Sequence, residues 1–169
     1  MSELVARISA GMTAGDEERF MLQRVQPALI GLIDGTVSTL APIFATAFIA
    51  GSHAALLVGL AAALGAAISM GLSEALSDDG SVTGRGSSLS RGLITGGATF
   101  FGGSFHALPF LISDLGTALT VAYITVASEL VAIAWIRKRF LAVSLSSSLI
   151  QVTIGGVIVA ITGALIGQA

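Results

Sequence analysis

Five long apolar segments dominate the 169-residue sequence, at about residues 28–50, 54–76, 92–112, 115–136 and 145–167. A helix needs about 20 apolar residues to cross the hydrocarbon core of a bilayer. Only 11% of the residues are charged, against about 25% in an ordinary soluble domain. The sequence therefore predicts an all-α polytopic membrane protein with five transmembrane helices surrounded by lipid.

The basic residues predict how these helices are oriented. All 8 of them precede the first segment, separate the second from the third, or follow the fourth: Arg7, Arg19, Arg24, Arg85, Arg91, Arg137, Lys138 and Arg139. Because cytoplasmic loops carry the excess of Lys and Arg, we expect the N-terminus in the cytoplasm and the C-terminus outside.

The chain divides into a tail and one transmembrane domain. Residues 1–26 are polar and form a cytoplasmic tail, and residues 27–169 form the five-helix domain. Within the tail, residues 16–26 are either a short amphipathic helix with Asp16 as N-cap or a frayed lead into the first span. No cleavable signal peptide is visible in the tail.

The composition excludes several functional classes. With 0 Cys there is no disulfide or thiolate metal site, and the sparse basic residues argue against nucleic-acid binding. The sequence has no phosphate-binding Gly-rich loop ending in Lys-Ser or Lys-Thr, so it predicts no ATP-driven pump. No Ser/His/Asp set falls near one membrane face, so we expect neither an enzyme nor a bound cofactor.

Small residues and prolines predict local features of the spans. Three pairs of glycines spaced by four favour close helix packing, with a dedicated dimer contact as the alternative: Gly31/Gly35, Gly92/Gly96 and Gly163/Gly167. Pro42 and Pro109 should bend the first and third helices and free carbonyls near Ser38 and Phe105. Such carbonyls beside a cavity are candidate ion ligands.

Three carboxylates fall inside the apolar segments: Asp34, Glu74 and Glu129. An ionisable residue in a span costs at least a few kcal/mol, so each is a functional candidate. No span contains a Lys or Arg deep enough to neutralise them. Three unpaired acids predict a pathway for a cation.

The second segment suggests which cation. Met70 and Glu74 are four residues apart and should project from the same helix face, beside a stripe formed by Ser69, Ser73 and Ser77. A carboxylate and a thioether make a mixed hard and soft site, suited to a divalent transition ion such as Fe²⁺. The alternative is that Met70 only fills space.

Four further residues are candidates for a proton or ion pathway: Glu129, His106, Ser38 and Ser73. Glu129 either handles ions, accepts a hydrogen bond from Thr125 or a neighbouring helix, or extends toward the basic cluster after the fourth span. His106 is either a ligand or proton relay, or a buried hydrogen-bonded histidine.

Residues 34–39 (Asp-Gly-Thr-Val-Ser-Thr) and 69–77 (Ser-Met-Gly-Leu-Ser-Glu-Ala-Leu-Ser) resemble the vacuolar iron transporter (VIT) family of ferrous iron/manganese–proton antiporters. The resemblance covers about residues 25–167. Residues 26–35, 106–111 and 129–137 are more similar still to the membrane half of bacterial ferritin-like (erythrin)–VIT fusion proteins. The resemblance implies a homodimer with its path near the subunit interface. It also implies that Asp34 and Met70 are the intramembrane metal pair, with Glu74 as the nearby motif glutamate.

Two departures from the family concern metal capture. The chain has neither a Glu-rich domain between the second and third helices nor a ferritin-like domain before the first.

From the intramembrane acids and the family resemblance, we expect a transporter in the bacterial inner membrane that exports Fe²⁺, with Mn²⁺ as a further cargo, in exchange for protons. Asp34 would alternate between proton and metal, with Glu129 as the substitute proton carrier. The alternative is a non-transporting membrane anchor or assembly subunit for a separate ferritin-like iron-storage protein.

Overall fold

In the computed structural model, residues 13–168 are described, and helices make up all of their regular structure. The all-α class predicted from the sequence is confirmed. A π-helical stretch, Met21–Val25, joins the first two helices, and a 3₁₀ turn, Leu108–Leu111, precedes the fifth. The helices are α1 (Ala14–Phe20), α2 (Gln26–Ser38), α3 (Leu40–Ser77), α4 (Ser88–Phe105), α5 (Leu115–Leu141) and α6 (Leu145–Gln168).

Within the described part of the chain, three helical stretches are long and apolar enough to cross a membrane. They are Gly15–Ser77, Leu115–Leu141 and Leu145–Gln168. The first is folded back on itself, because Gly51 has φ 80° and ψ −176° and interrupts α3. A Cβ at Gly59 would lie 2.9 Å from the Ile43 side chain, whereas a straight helix would separate these residues by about 24 Å. α3 is therefore a hairpin with arms 40–50 and 52–77.

The N-terminal helix begins earlier than the sequence suggested. Thr13, and not Asp16, is its N-cap, and Asp16 closes a capping box as the third helical residue. In this arrangement the Thr13 hydroxyl accepts from the Asp16 N–H while the Asp16 carboxylate accepts from the Thr13 N–H. Arg7 and the rest of the predicted tail up to residue 12 lie outside the described residues.

The prolines end helices where bends were expected. α4 stops at Phe105 instead of continuing to residue 112, and Pro109 lies in the 3₁₀ turn that follows. Thr39, with φ −90° and ψ −12°, separates α2 from α3 three residues before Pro42. Proline has no N–H and crowds the preceding turn, which favours such breaks.

The link between the last two helices is shorter than predicted. α5 continues to Leu141, so Arg137, Lys138 and Arg139 lie on the helix and not in a loop. Residues 142–144 alone connect α5 to α6, and Ala142 takes a left-handed conformation at φ 53°. α5 is therefore about one turn longer than the apolar run that predicted it.

Close glycine contacts hold the helices together. Cβ atoms at Gly31 and Gly35 on α2 would meet the backbone carbonyl oxygens of Thr95 and Thr99 on α4. Cβ atoms at the other two glycine pairs would likewise lie within 3 Å of backbone atoms of α3. All three predicted pairs therefore pack helices within one chain, which is the tight-packing alternative and not a dedicated dimer contact.

The two ends of the bundle differ in character. At one end, Phe44 stacks on Tyr123 at 5.0 Å between ring centroids and meets Phe110 edge-on at 6.4 Å. At the other end lie the basic residues of α1, α4 and α5, where the Gln23 amide donates to the Gly84 carbonyl. The outward faces of α3 and α6 expose large apolar side chains, including Ile68, Leu72, Leu76, Ile150, Ile154 and Ile158. Surfaces of this kind face lipid or another chain.

Candidate functional site

Asp34 lines a cavity of about 610 Å³ at the surface of the helix bundle. It lies eight residues into α2, about 12 Å from the start of that helix. Met70 lies seven residues before the end of α3, and its arm runs antiparallel to α2, so the two residues reach a similar depth. Both side chains, together with Ser38, line the same cavity. The structure thus brings together three of the residues that the sequence singled out.

The Asp34 carboxylate is half-buried and has no hydrogen-bond or ion-pair partner between residues 13 and 168. A carboxylate at this depth is costly unless a cation or a proton compensates it. Its oxygens and the Met70 sulfur are the two kinds of ligand that a borderline divalent ion accepts. These two side chains leave coordination positions for water, for backbone carbonyls or for a second copy of the chain.

Two residues in this cavity were not predicted as site residues. The Arg137 guanidinium donates to the Gln151 side-chain oxygen at 2.9 Å, and both residues line the cavity beside Val152 and Gly155. Gln151 is the one carboxamide within the fifth apolar segment, which could have marked it. Arg137 was assigned to a cytoplasmic cluster, because the extension of α5 through residue 141 was not visible in the apolar pattern.

Glu74 does not line the cavity and is not unpaired. The Arg91 Nε donates to Glu74 Oε1 at 2.7 Å, and Arg85 Nη2 lies 2.8 Å from the same oxygen. Arg91 is completely buried at the start of α4. The expectation of three unneutralised acids is therefore wrong for Glu74. This expectation failed because the sequence placed Arg91 in a loop, whereas Arg91 lies in the first turn of α4, which packs on α3.

The buried Arg91 also organises the connection between α3 and α4. Its guanidinium donates to the carbonyls of Arg85 and Gly86, at 3.0 and 2.8 Å, and to that of Asp78. The Thr83 hydroxyl and the Gly80 N–H donate to the Asp78 carboxylate and hold its pKa below the usual range, with help from Arg91 and Arg85. Asp78 is thus part of a folded loop, whereas Asp79 is exposed.

His106 and Glu129 form a second polar site, deep in the bundle. His106 is completely buried, and its Nδ1 lies 2.9 Å from Glu129 Oε2. Its Nε2 lies 2.7 Å from the Thr39 hydroxyl at the break between α2 and α3. Of the alternatives for Glu129, the structure shows a hydrogen bond to a neighbouring helix. Thr125 instead donates to the Val121 carbonyl.

Two predicted site residues, Ser38 and Ser73, are exposed to solvent or lipid and not buried. Ser38 is exposed at the edge of the Asp34 cavity, and Ser73 is exposed on α3 away from it. Within residues 13–168 no three His, Cys, Asp or Glu residues form a cluster that could hold a metal ion. A metal at Asp34 would therefore depend on one carboxylate and the Met70 thioether.

No family model, curated protein or solved structure matches this chain.

Proposed function

We propose that this chain is a secondary transporter that exports Fe²⁺ from the cytoplasm in exchange for protons, with Mn²⁺ as a further cargo. The observation that carries the proposal is that Asp34 and Met70, from two helices, line one cavity in which Asp34 has no polar partner among residues 13–168. A site that binds a dication only through one acid and one thioether releases it readily, as transport requires.

The proposed topology has five membrane segments with the N-terminus inside. The Gly51 hairpin divides the first long stretch into two segments, and α4, α5 and α6 supply the other three. The basic residues of α1, α4 and α5 gather at one end of the bundle, which the positive-inside rule assigns to the cytoplasm. Asp34 and Met70 then lie in the cytoplasmic half, where a cation leaving the cell would first be bound.

Electrostatics in the cavity would favour exchange over permanent occupancy. Asp34 attracts a dication, whereas the Arg137 guanidinium in the same cavity repels it. The hydrogen bond from Arg137 to Gln151 positions that positive charge near the start of α6. Binding and release of the ion would therefore depend on how Arg137 is positioned.

The resemblance to the VIT family supports the choice of cargo and of a homodimer in the bacterial inner membrane. The competing function is a membrane anchor or assembly subunit for a soluble ferritin-like partner. That role needs neither an acid in a cavity nor metal flux, so a transport assay separates the two.

The test is Fe²⁺ uptake into proteoliposomes that contain the purified full chain, with ascorbate to keep the iron reduced. An acidic lumen should drive Fe²⁺ inward through molecules whose basic end faces outward. Asp34→Asn should abolish uptake. Asp114→Asn is the matched control, because Asp114 is an exposed N-cap at the other end of the bundle and Asn caps helices equally well.

Absence of Fe²⁺ and Mn²⁺ flux in a folded wild-type chain would overturn the proposal and favour the anchor. Uptake that is equal in wild type and Asp34→Asn would show transport by another route and would remove the cavity from the mechanism.

A further inference from the structure

The hydrogen bonds around His106 determine where its protons lie. The Thr39 hydroxyl donates its one hydrogen to the Gly35 carbonyl, at 2.8 Å. Its oxygen must therefore accept from His106 Nε2, 2.7 Å away. The Nε2 position is thus protonated, and His106 Nδ1 alone is left to interact with Glu129.

One proton must lie between His106 Nδ1 and Glu129 Oε2, which are 2.9 Å apart. Either a neutral Glu129 donates to Nδ1, or a protonated His106 donates to the carboxylate. In both arrangements the pair is neutral overall, as its buried position requires. Without that proton, two lone pairs would face each other at hydrogen-bond distance, and the contact could not persist.

We propose that the His106–Glu129 pair is the binding site for the coupling proton, separate from the cavity that binds the metal. This inference rests on the proposed function and assigns its two ions to two places. Asp34 then remains a metal ligand and is not required to carry the proton as well.

The location of the pair suits this role. Glu129 lies near the middle of α5, and it lines a cavity of about 240 Å³ with Leu32, Phe101, Phe105 and Ala132. Asp34 and Met70 do not line that cavity. The proposed proton site and the metal cavity are therefore separate.

The other titratable groups on the surrounding helices lie at least one helical turn away from the His106–Glu129 pair. Asp34 on α2 is five residues from Thr39, about 7.5 Å along the helix, and Arg137 on α5 is eight residues from Glu129, about 12 Å. Tyr123 lies six residues before Glu129 and stacks on Phe44. The other groups lie toward the ends of these helices: Glu74 and His53 on α3, Arg91 on α4, and Lys138 and Arg139 on α5.

Loss of the proton would change the contacts between helices. His106 joins the end of α4 to α5 through Glu129 and to the α2–α3 break through Thr39. Thr39 in turn bonds to Gly35, the residue after Asp34. Deprotonation would break the contact between α4 and α5 and leave the bond to Thr39 intact. Because α5 also carries Arg137, which lines the metal cavity, proton release would shift the position of that guanidinium.

The first test measures the proton directly and needs no transport. The chain has 2 His, and His53 is exposed in the Gly51 hairpin, so His53→Gln leaves His106 as the single histidine. Nitrogen-15 NMR of that full chain in nanodiscs should show a protonated Nε2 throughout the titration. The Nδ1 signal and the Glu129 carboxyl infrared band should titrate together, with the loss of one proton. Independent titration of the two groups, or no exchangeable proton between pH 5 and 9, would overturn the inference.

The second test measures coupling in proteoliposomes. Glu129→Gln preserves a donor to Nδ1, because its amide can replace the protonated acid, yet it cannot release a proton. We expect the H⁺:Fe²⁺ ratio measured during downhill Fe²⁺ flux to fall at least tenfold in this variant. His106→Gln should lose coupling too. A wild-type ratio in Glu129→Gln would place the proton at Asp34 and refute the inference.

The two tests separate the two proposals. Without Fe²⁺ flux in the wild type, the proposed function fails, and the NMR and infrared titration alone decides whether the pair holds a proton. With Fe²⁺ flux in the wild type and an unchanged H⁺:Fe²⁺ ratio in Glu129→Gln, the transporter stands and the assignment of the proton fails.

Discussion

In the proposed transporter, Asp34 and Met70 would have different chemical roles in the cavity that both line. The carboxylate supplies charge and would attract any dication, whereas the thioether adds a soft ligand that favours transition ions over Ca²⁺ and Mg²⁺. Selectivity should therefore reside mainly in Met70, and electrostatic attraction in Asp34.

Met70→Leu tests the contribution of the sulfur. Leucine replaces methionine at similar volume, a change that usually costs less than about 1.5 kcal/mol, so the fold should persist. Fe²⁺ affinity should fall by at least about tenfold, because a ligand is lost, and Mn²⁺ affinity should fall less. The measurement is competition binding of the two ions in detergent. Met21→Leu, on the π-helical stretch outside the cavity, is the matched control. Unchanged Fe²⁺ affinity in Met70→Leu would show that Met70 only fills space.

Arg137→Gln tests the repulsion between the guanidinium and the metal. Removing a positive charge from the cavity should raise dication affinity by roughly tenfold, equivalent to about 1.4 kcal/mol. Release should slow, so maximal flux should fall even as binding improves. Lys138→Gln is the control, because Lys138 is adjacent in sequence but exposed and outside the cavity. Weaker binding in Arg137→Gln would mean that Arg137 supports the site through Gln151 and does not repel the ion.

Glu74→Gln distinguishes an ion-pair partner from a metal ligand. It leaves the buried Arg91 with carbonyl partners but without its nearest carboxylate, at a cost of about 3–5 kcal/mol. The apparent melting temperature should drop, and Fe²⁺ affinity should be retained. Glu17→Gln, exposed on α1, should change neither quantity. A stable Glu74→Gln chain that fails to bind Fe²⁺ would restore Glu74 as a ligand.

The connection between the arms of α3 depends on one residue. Gly51 has φ 80° and ψ −176°, a region that is almost exclusive to glycine. A Cβ there would meet nothing within 4 Å, so the constraint is conformational and not one of space. The hairpin, and with it the alignment of Met70 beside Asp34, follows from this reversal.

Gly51→Ala should therefore destabilise the chain by about 1–3 kcal/mol. Gly65→Ala is the matched control, because Gly65 is helical, on the same arm, and equally free of neighbours within 4 Å. Alanine in a helix is favoured over glycine by up to about 1 kcal/mol, so the control should be neutral or stabilising. Thermal unfolding of both variants in detergent measures the difference. Equal stabilities would show that the reversal tolerates a side chain.

The sequence predicted helices and residue spacing better than contacts between helices. The apolar runs predicted where helices lie, and the carboxylate of Asp34 marked the cavity, because both properties are local. The pairing of Glu74 with Arg91 depends on how α4 packs on α3, which no spacing along the chain specifies. The contact of His106 with Glu129 spans 23 residues and depends on α4 ending at Phe105.

The open side of the Asp34 cavity is the basis for a prediction about assembly. One chain leaves this cavity accessible at its surface, next to an exposed apolar residue, Ile30. A carboxylate and a guanidinium facing lipid would each cost at least a few kcal/mol. A second copy related by two-fold symmetry, the commonest arrangement of oligomers, would cover the cavity.

The absence of cysteine makes this prediction directly testable. With 0 Cys in the chain, single-cysteine variants report only the contacts that are designed into them. Ile30→Cys lies at the rim of the cavity and should form a disulfide-linked dimer in native membranes, because a two-fold axis that runs beside the covered cavity would bring this position of both copies together. Leu64→Cys, on the exposed face of α3 and outside the cavity, should remain monomeric under the same oxidation. Fe²⁺ should protect Ile30→Cys from a membrane-impermeant thiol reagent, since the ion occupies the adjoining cavity. Crosslinking of Leu64→Cys instead would place the interface on α3 and leave the Asp34 cavity to be covered by lipid or by another protein.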